Sequence, residues 1–187
     1  MTFDLAGCTD GELATRALAA EQTAYRELVR RHRDWIYRLI RHHVGDPDEA
    51  LDVTQNCFVA AFSALGRYDP GRPFRLWIAR IAINKCNDWA RRRAVRKFLT
   101  FGAQRGDVEQ MADDAVPVDE TLGGKQELDR AMRAIANLPA ALKEPLILRT
   151  LEGLGQAETA RVLRISEKAV ETRLYRARRK LGEMLAD

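Results

Sequence analysis

Hydrophobic residues recur at helical spacing through most of the N-terminal half of the chain. Between Tyr25 and Gly45, apolar side chains return every three or four positions, which is the pattern of one buried helical face. A second helix is predicted to begin after Asp46, because Asp46 can cap it, Pro47 suits the first helical position and Glu49 can complete a capping box. Its predicted buried stripe comprises Leu51, Phe58, Ala61, Phe62 and Leu65.

A third long helix is predicted after a loop at residues 66–73 that contains two glycines and two prolines. From Phe74 to Trp89 the apolar positions keep a helical period, whereas residues 100–125 have no such period. Its predicted exposed positions are Arg75, Arg80, Asn84, Lys85, Arg92 and Arg93. Segments of useful length that alternate with a period of two are absent from the sequence, so the predicted fold class is all-α.

The C-terminal part of the chain predicts a helix-turn-helix. Residues 156–163 form a short helix, and Ser166 can cap a second helix whose apolar side chains recur on one face. Arg164 stands at a turn position that favours glycine, where a positive φ would cost about 1 kcal/mol. Upstream, Pro145 either lies in the first turn of a helix at residues 145–151 or kinks a longer helix.

Charge is unevenly distributed along the 187 residues, which carry a formal net charge of +4. Residues 91–97 form one basic block, and the second helix of the helix-turn-helix forms another. The acidic side chains between them are Asp107, Glu109, Asp113, Asp114, Asp119 and Glu120. We therefore predict two small helical domains, at residues 10–97 and 127–187, joined by a flexible acidic linker at residues 98–126.

The basic second helix favours duplex DNA as a partner, because cations on a helix that is presented to the major groove attract phosphates. An αα-hairpin with a solvated basic face is the alternative interpretation. A nuclease or recombinase would need an activated nucleophile or metal-binding carboxylates, and we find no such constellation, so the chain is not expected to be an enzyme.

The three cysteines are far apart and odd in number, and the sequence has neither a signal peptide nor an apolar run that could span a bilayer. A reduced cytoplasmic protein without membrane insertion is expected. Cys57 and Cys86 fall on apolar helical faces and are predicted to be small buried hydrophobic residues. Because His32, His42 and His43 lack partners at ligand spacing, neither a metal site nor a cofactor is expected.

Three motifs, taken in their order and spacing, resemble those of the extracytoplasmic-function sigma factors of the sigma-70 family. Residues 52–58 (Asp-Val-Thr-Gln-Asn-Cys-Phe) resemble the region 2.2 signature, and residues 74–84 are similar to regions 2.3 and 2.4. Residues 138–139 and 158–178 resemble region 4. The resemblance covers nearly the whole chain. It departs from the family at Asn56, where an acid is usual, at Leu76, where threonine is common, and at Glu171, where a basic residue is common.

The resemblance implies a dissociable subunit of bacterial RNA polymerase that recognises and opens promoters, and an anti-sigma factor as a further partner. Asp52, Gln55 and Asn56 would dock on core RNA polymerase. Promoter DNA would be contacted at the minus-ten element by Tyr68, Arg75, Arg80, Asn84 and Lys85. The minus-thirty-five duplex would be contacted by Lys168, Thr172, Arg173, Arg176 and Arg179.

Several alternatives stay open. Tyr68 could stack on an unpaired base or simply pack within its loop, and Trp77 and Trp89 are expected in the core. The acidic linker could enter the RNA exit path of the polymerase, as the resemblance implies, or stay solvated. An autonomous helix-turn-helix regulator is the alternative function, which copurification with core polymerase would distinguish.

Overall fold

The computed structural model describes residues 5–103 and 120–186, and at residues 6, 97, 100–103 and 120–125 it describes the backbone alone. All regular elements in these ranges are helical, which confirms the predicted all-α fold class. The α-helices are α1 (Asp10–Leu18), α2 (Gln22–Val44), α3 (Pro47–Ser63), α4 (Phe74–Ala103), α5 (Glu120–Asn137), α6 (Ala140–Leu146), α7 (Gln156–Leu163) and α8 (Glu167–Ala186). Short 3-10 turns lie at Leu5–Gly7 and Leu65–Arg67, and a π-helical turn lies at Ile147–Leu151.

The predicted junction between α2 and α3 is confirmed in most details. Gly45 ends α2 at φ +88°, a left-handed conformation that glycine adopts without a steric cost. The Asp46 carboxylate caps α3 by accepting from the backbone N–H groups of Asp48 and Glu49, both at 3.0 Å. The expected capping box is wrong, because the Glu49 carboxylate accepts from the Trp89 indole at 2.5 Å instead and so ties α3 to α4.

The predicted buried stripe of α3 is wrong at Leu51, which is 51% exposed. The face of α3 that packs in the core is centred on Ala50, Thr54, Cys57 and Ala61. Leu51 lies about a quarter of a turn from this stripe at 3.6 residues per turn. Mostly small side chains therefore line the contact, and the larger Leu51 stays at its outer edge.

Pro145 does not begin a helix, so the first of the two alternatives for this residue is wrong. It lies inside α6, and the chain continues directly into the π-helical turn. Proline has no N–H to donate to the carbonyl four residues earlier, which disturbs the regular ladder. The turn ends where the Glu152 N–H donates to the Ile147 carbonyl at 3.0 Å, a bond that spans five residues.

The helix-turn-helix is confirmed, including its strained turn. Arg164 takes φ +54° and ψ +46°, and the following Ile165 N–H donates to the Ala160 carbonyl at 3.1 Å. The Ser166 hydroxyl then caps α8 by accepting from the Ala169 N–H at 3.1 Å. Arginine at this turn costs roughly 1 kcal/mol relative to glycine, which the packing of α7 on α8 offsets.

Helices extend into the segment for which no helical structure was expected. Helix α4 continues through Ala103, and α5 begins at Glu120 despite Gly123 and Gly124. Once a helix has formed, each further residue adds a hydrogen bond at little cost, so weak sequence periodicity need not end it. The acidic residues Asp107, Glu109, Asp113, Asp114 and Asp119 lie outside the described residues.

Helices α1–α4 form an N-terminal domain, and α5–α8 form a C-terminal domain. The two domains are in contact, because α2 and α4 pack against α5, α7 and the π-helical turn. Cys57 and Cys86 are both fully buried, as predicted, and burial raises the pKa of both thiols, that of Cys57 to about 12. In the part of the chain that the structure describes, no helix is long and apolar enough to cross a lipid bilayer.

Candidate nucleic-acid interface

Helix α8 buries one face and presents the opposite face to solvent. Val170, Leu174 and Ala177 are buried against α6 and α7. Four of the five residues predicted to contact DNA in this helix are exposed: Lys168, Thr172, Arg176 and Arg179. Since an α-helix turns through about 100° per residue, these four side chains share the half of α8 that faces away from its buried stripe. The arrangement leaves a cationic helix face free to enter a major groove.

Arg173 differs from the other four predicted contacts of α8. It is half-buried, and it lies about 60° from the direction of Val170 at 3.6 residues per turn. Its positive charge lowers the pKa of Glu144, although burial of Glu144 has the larger and opposite effect. Arg173 therefore lies at the flank of the buried stripe and not on the outward face that the other four side chains share.

Tyr175 is a candidate DNA contact that sequence reasoning missed. Its side chain is on the outward face of α8 with Lys168 and Thr172, and Tyr175 is 69% exposed. An aromatic ring at the surface of a basic helix can pack on a thymine methyl group in the major groove. The signal in the sequence was its position, three residues after Thr172 and outside the apolar stripe.

The predicted contacts on α4 do not form a single face. Asn84 lies nine positions after Arg75, so the two side chains leave the helix on nearly opposite sides. Asn84 is exposed, whereas Lys85 and Arg80 are half-buried. Arg75 is exposed but is held over the Trp35 ring of α2 at 4.3 Å. Only Arg80 and Asn84, one turn apart, are neighbours along one side of α4.

Tyr68 is buried in the loop that precedes α4, and only 7% of its surface is exposed. Its ring lies 5.2 Å from the Phe74 ring and 5.2 Å from the Trp77 ring, and its hydroxyl donates to the Arg72 carbonyl at 2.5 Å. Burial raises the pKa of this phenol. In this conformation the ring cannot stack on a base, so the structure favours loop packing, the alternative interpretation.

Two cations of the same loop are exposed and were not predicted as contacts. Arg67 ends the 3-10 turn, and the Arg72 guanidinium donates to the Asp69 carboxylate at 3.1 Å. This ion pair is exposed on both sides and is therefore weak. Arg67 and Arg72 can accordingly reach a nucleic-acid backbone that approaches the loop.

A buried polar layer joins the two domains. The Lys143 ammonium of α6 donates to the His43 carbonyl of α2 at 3.1 Å and to the Ala136 carbonyl at 2.6 Å. Next to it, the Asn87 amide of α4 donates to the Glu144 carboxylate at 2.8 Å. Burial lowers the pKa of Lys143 and raises that of Glu144, and it lowers the pKa of His43 to about 3. The hydrogen bonds of Lys143, Asn87 and Glu144 therefore help to orient the domains, because these buried polar groups are costly to leave unpaired.

The same domain contact engages two of the predicted minus-ten residues. The Arg75 guanidinium donates to the Glu152 carbonyl at 3.1 Å, and the Arg80 guanidinium donates to the Val162 carbonyl at 3.1 Å. The buried Glu152 carboxylate also pairs with the His42 ring at 3.0 Å. Both arginines are thus bound to main-chain oxygens of the C-terminal domain, and DNA could take those contacts only if the domains separated.

The outward face of α3 carries the three residues predicted to bind the polymerase. Asp52, Gln55 and Asn56 are all exposed, and the Asn56 amide donates to the Asp52 carbonyl at 2.9 Å. Beside them, Leu51 is 51% exposed and Val59 is 66% exposed. This combination of polar and apolar side chains on a well-packed helix is suited to a protein partner.

Comparison with known proteins identifies relatives along nearly the whole chain. The family model described as sigma-70 region 2 matches residues 28–96, and the model described as sigma-70, region 4 matches residues 128–181. The RNA polymerase sigma factor CnrH of Cupriavidus metallidurans is 39% identical, with 94% of each chain covered. The ECF RNA polymerase sigma factor BldN of Streptomyces coelicolor is 35% identical over 94% of this chain and 66% of its own length.

Solved structures show the same fold. The structure of CnrH in complex with the cytosolic domain of CnrY matches with a TM-score of 0.68 at 32% identity, covering 95% of this chain and 97% of CnrH. The sigma factor RpoE from Bartonella quintana, in complex with the anti-sigma factor NepR, matches with a TM-score of 0.66 at 18% identity, covering 87% of this chain and 96% of that one.

Proposed function

Because this chain belongs to the extracytoplasmic-function group of the sigma-70 family of RNA polymerase sigma factors, we propose that it directs core RNA polymerase to specific promoters and helps to open them. The observation that carries this proposal is the outward cationic face of α8 in one domain, with a second candidate DNA surface around Asn84 in the other. We assign residues 10–97 to region 2, residues 98–126 to the connection and residues 127–187 to region 4. The protein would act in the cytoplasm as a binding subunit and not as an enzyme.

The decisive test is run-off transcription from genomic DNA fragments with core polymerase and the purified chain. Discrete transcripts that require both proteins are expected. An autonomous regulator would instead bind its sites without the polymerase and would start no transcript.

Two promoter elements cannot be contacted at once while the domains are packed together. The minus-thirty-five and minus-ten elements are about 25 base pairs apart, or roughly 85 Å at 3.4 Å per base pair. A compact chain of this length has a radius of gyration of about 16 Å and is about 40 Å across. The sixteen residues between Ala103 and Glu120 span at most about 55 Å when extended, which suffices to let the domains part. We therefore propose that domain separation accompanies promoter binding and frees Arg75 and Arg80.

An anti-sigma factor is the partner that we propose for the state without polymerase. Support comes from the CnrH structure, which contains the cytosolic domain of CnrY and resembles this chain over nearly its full length. A partner that bridges both domains would hold the polar layer of Lys143 and Glu144 closed. Its identity would follow from copurification of the intact chain.

We expect the outward face of α3 to bind core polymerase. Replacing Asp52→Ala together with Gln55→Ala should weaken binding to core polymerase by about 2 kcal/mol, or roughly 30-fold, because two hydrogen-bonding groups are lost. Fluorescence anisotropy of the labelled chain measures the affinity. The double change Asp34→Ala with Gln22→Ala removes the same groups from exposed positions of α2 and should leave binding unchanged. A parallel loss of helicity would contradict a surface role for Asp52 and Gln55.

The two arginines on α8 should differ in their effect on promoter choice. Arg176→Lys keeps the charge but removes the bidentate fork, so it should reduce base discrimination in the upstream element by about 1–3 kcal/mol. Arg173→Lys should change discrimination little, because Arg173 is half-buried and lies away from the outward face of α8. Transcription from a promoter library measures both effects. Equal base preference in the two variants and the parent chain would exclude base reading by Arg176.

A further inference from the structure

Glu171 is an acid at the edge of the outward face of α8, about 100° around the helix from the buried Val170. Its carboxylate lies 3.2 Å from the Lys168 ammonium, and the two side chains are 63% and 83% exposed. Thr172 lies next to it, but the Thr172 hydroxyl already donates to the Lys168 carbonyl at 2.9 Å. In the part of α8 that the structure describes, Lys168 is thus the ion-pair partner of Glu171 in the absence of DNA.

The ion pair with Lys168 contributes too little stability to account for an acidic residue at position 171. An exposed pair of this kind contributes about 0–1 kcal/mol, and salt screens it further. Phosphates repel a carboxylate that enters a groove, and the carboxylate also loses water there. A donor on the DNA must offset these costs, and the major groove offers donors only at the cytosine N4 and adenine N6 amino groups.

The Glu171–Lys168 ion pair fits cytosine better than adenine. In a C·G pair, the cytosine N4 donor is adjacent to the guanine O6 acceptor, because the two atoms form a Watson–Crick hydrogen bond of about 2.9 Å. A carboxylate and an ammonium 3.2 Å apart match this donor and acceptor. They match the adenine N6 donor and the thymine O4 acceptor of an A·T pair equally well, so the choice between the two pairs depends on the atom that flanks the donor. In adenine, the N6 donor is flanked by the N7 acceptor, which would repel the second carboxylate oxygen.

We propose that Glu171, acting with Lys168, specifies a C·G base pair in the upstream promoter element, the carboxylate accepting from cytosine N4 and the ammonium donating to guanine O6. This inference rests on the proposed function, since it requires α8 to lie in the major groove of that element.

The test is transcription by reconstituted holoenzyme from a promoter library that is randomised across the upstream element. The parent chain should select cytosine at one position. Glu171→Gln should lose this preference by about 5- to 150-fold and favour adenine there, because glutamine pairs with adenine N6 and N7. Glu171→Asp keeps the charge but shortens the reach, so it should lose the cytosine preference without gaining adenine.

Glu183→Gln is the matched control. Glu183 is exposed on the same helix, pairs with Arg179 at 3.5 Å, and lies twelve positions beyond Glu171. This variant should keep the parental base preference. Unchanged preference in Glu171→Gln, or a uniform gain on all templates, would overturn the inference. If the parent chain supports no promoter-dependent transcription, the proposed function itself has failed, which is a distinct result.

Discussion

A reducible cross-link between positions 87 and 144 is expected to abolish promoter-directed transcription until reductant is added. The Asn87 amide and the Glu144 carboxylate meet at 2.8 Å across the domain contact, so cysteines at these positions lie within reach of a short bifunctional thiol reagent. The linked chain cannot span two elements roughly 85 Å apart. Transcript yield before and after reduction measures the effect, and the linked chain should give no promoter-directed transcript above background.

The native cysteines do not interfere with this cross-link. Burial raises the pKa of Cys57 to about 12 and also raises that of Cys86, so both remain protonated and unreactive. Cys8 is partly exposed and is replaced by serine in every variant. The control cross-link joins positions 10 and 32, whose side chains meet at 2.8 Å within the N-terminal domain. Full transcription by the linked 87–144 chain would mean that the domains need not separate.

Local structure could be predicted where sequence signals act over a few residues. Gly45, Asp46 and Ser166 end or cap helices through groups on the backbone next to them, so their roles can be read without a fold. Arg164 was also predictable, because the turn geometry of a helix-turn-helix requires a left-handed residue whatever its side chain is. The capping box predicted for Glu49 is wrong because the partner of its carboxylate, the Trp89 indole, lies on another helix.

The domain contact could not be predicted for the same reason. His42 and Glu152 are 110 positions apart, and neither has a neighbour in sequence that indicates the other. Arg75 and Arg80 were assigned to DNA as exposed cations of α4, yet both also donate to carbonyls of the C-terminal domain. A main-chain carbonyl and a phosphate oxygen are both acceptors for guanidinium groups, so periodicity cannot distinguish these uses. We therefore propose that the two arginines exchange these carbonyls for phosphate oxygens when the domains separate.

Tyr68 and Asn84 are both predicted contacts of the minus-ten element, and the structure predicts different outcomes for the two alanine variants. Tyr68→Ala should lower the free energy of unfolding by about 3–5 kcal/mol, because it removes a buried ring from between Phe74 and Trp77. Urea denaturation monitored by circular dichroism measures this loss. Tyr68→Phe keeps the ring and removes only the bond to Arg72, so it should cost about 1 kcal/mol.

Asn84→Ala changes an exposed side chain and should leave the free energy of unfolding within about 0.5 kcal/mol of the parent value. If the Asn84 amide captures an unpaired base, this variant should weaken promoter opening by about 1–3 kcal/mol on duplex templates. A template that is already melted at the minus-ten element removes the cost of unpairing but not the base contact, so the variant should also bind it more weakly. Normal binding of the melted template by Asn84→Ala would exclude base capture. If Tyr68→Ala folded with parental stability and failed only in opening, the ring would have to leave its pocket during initiation.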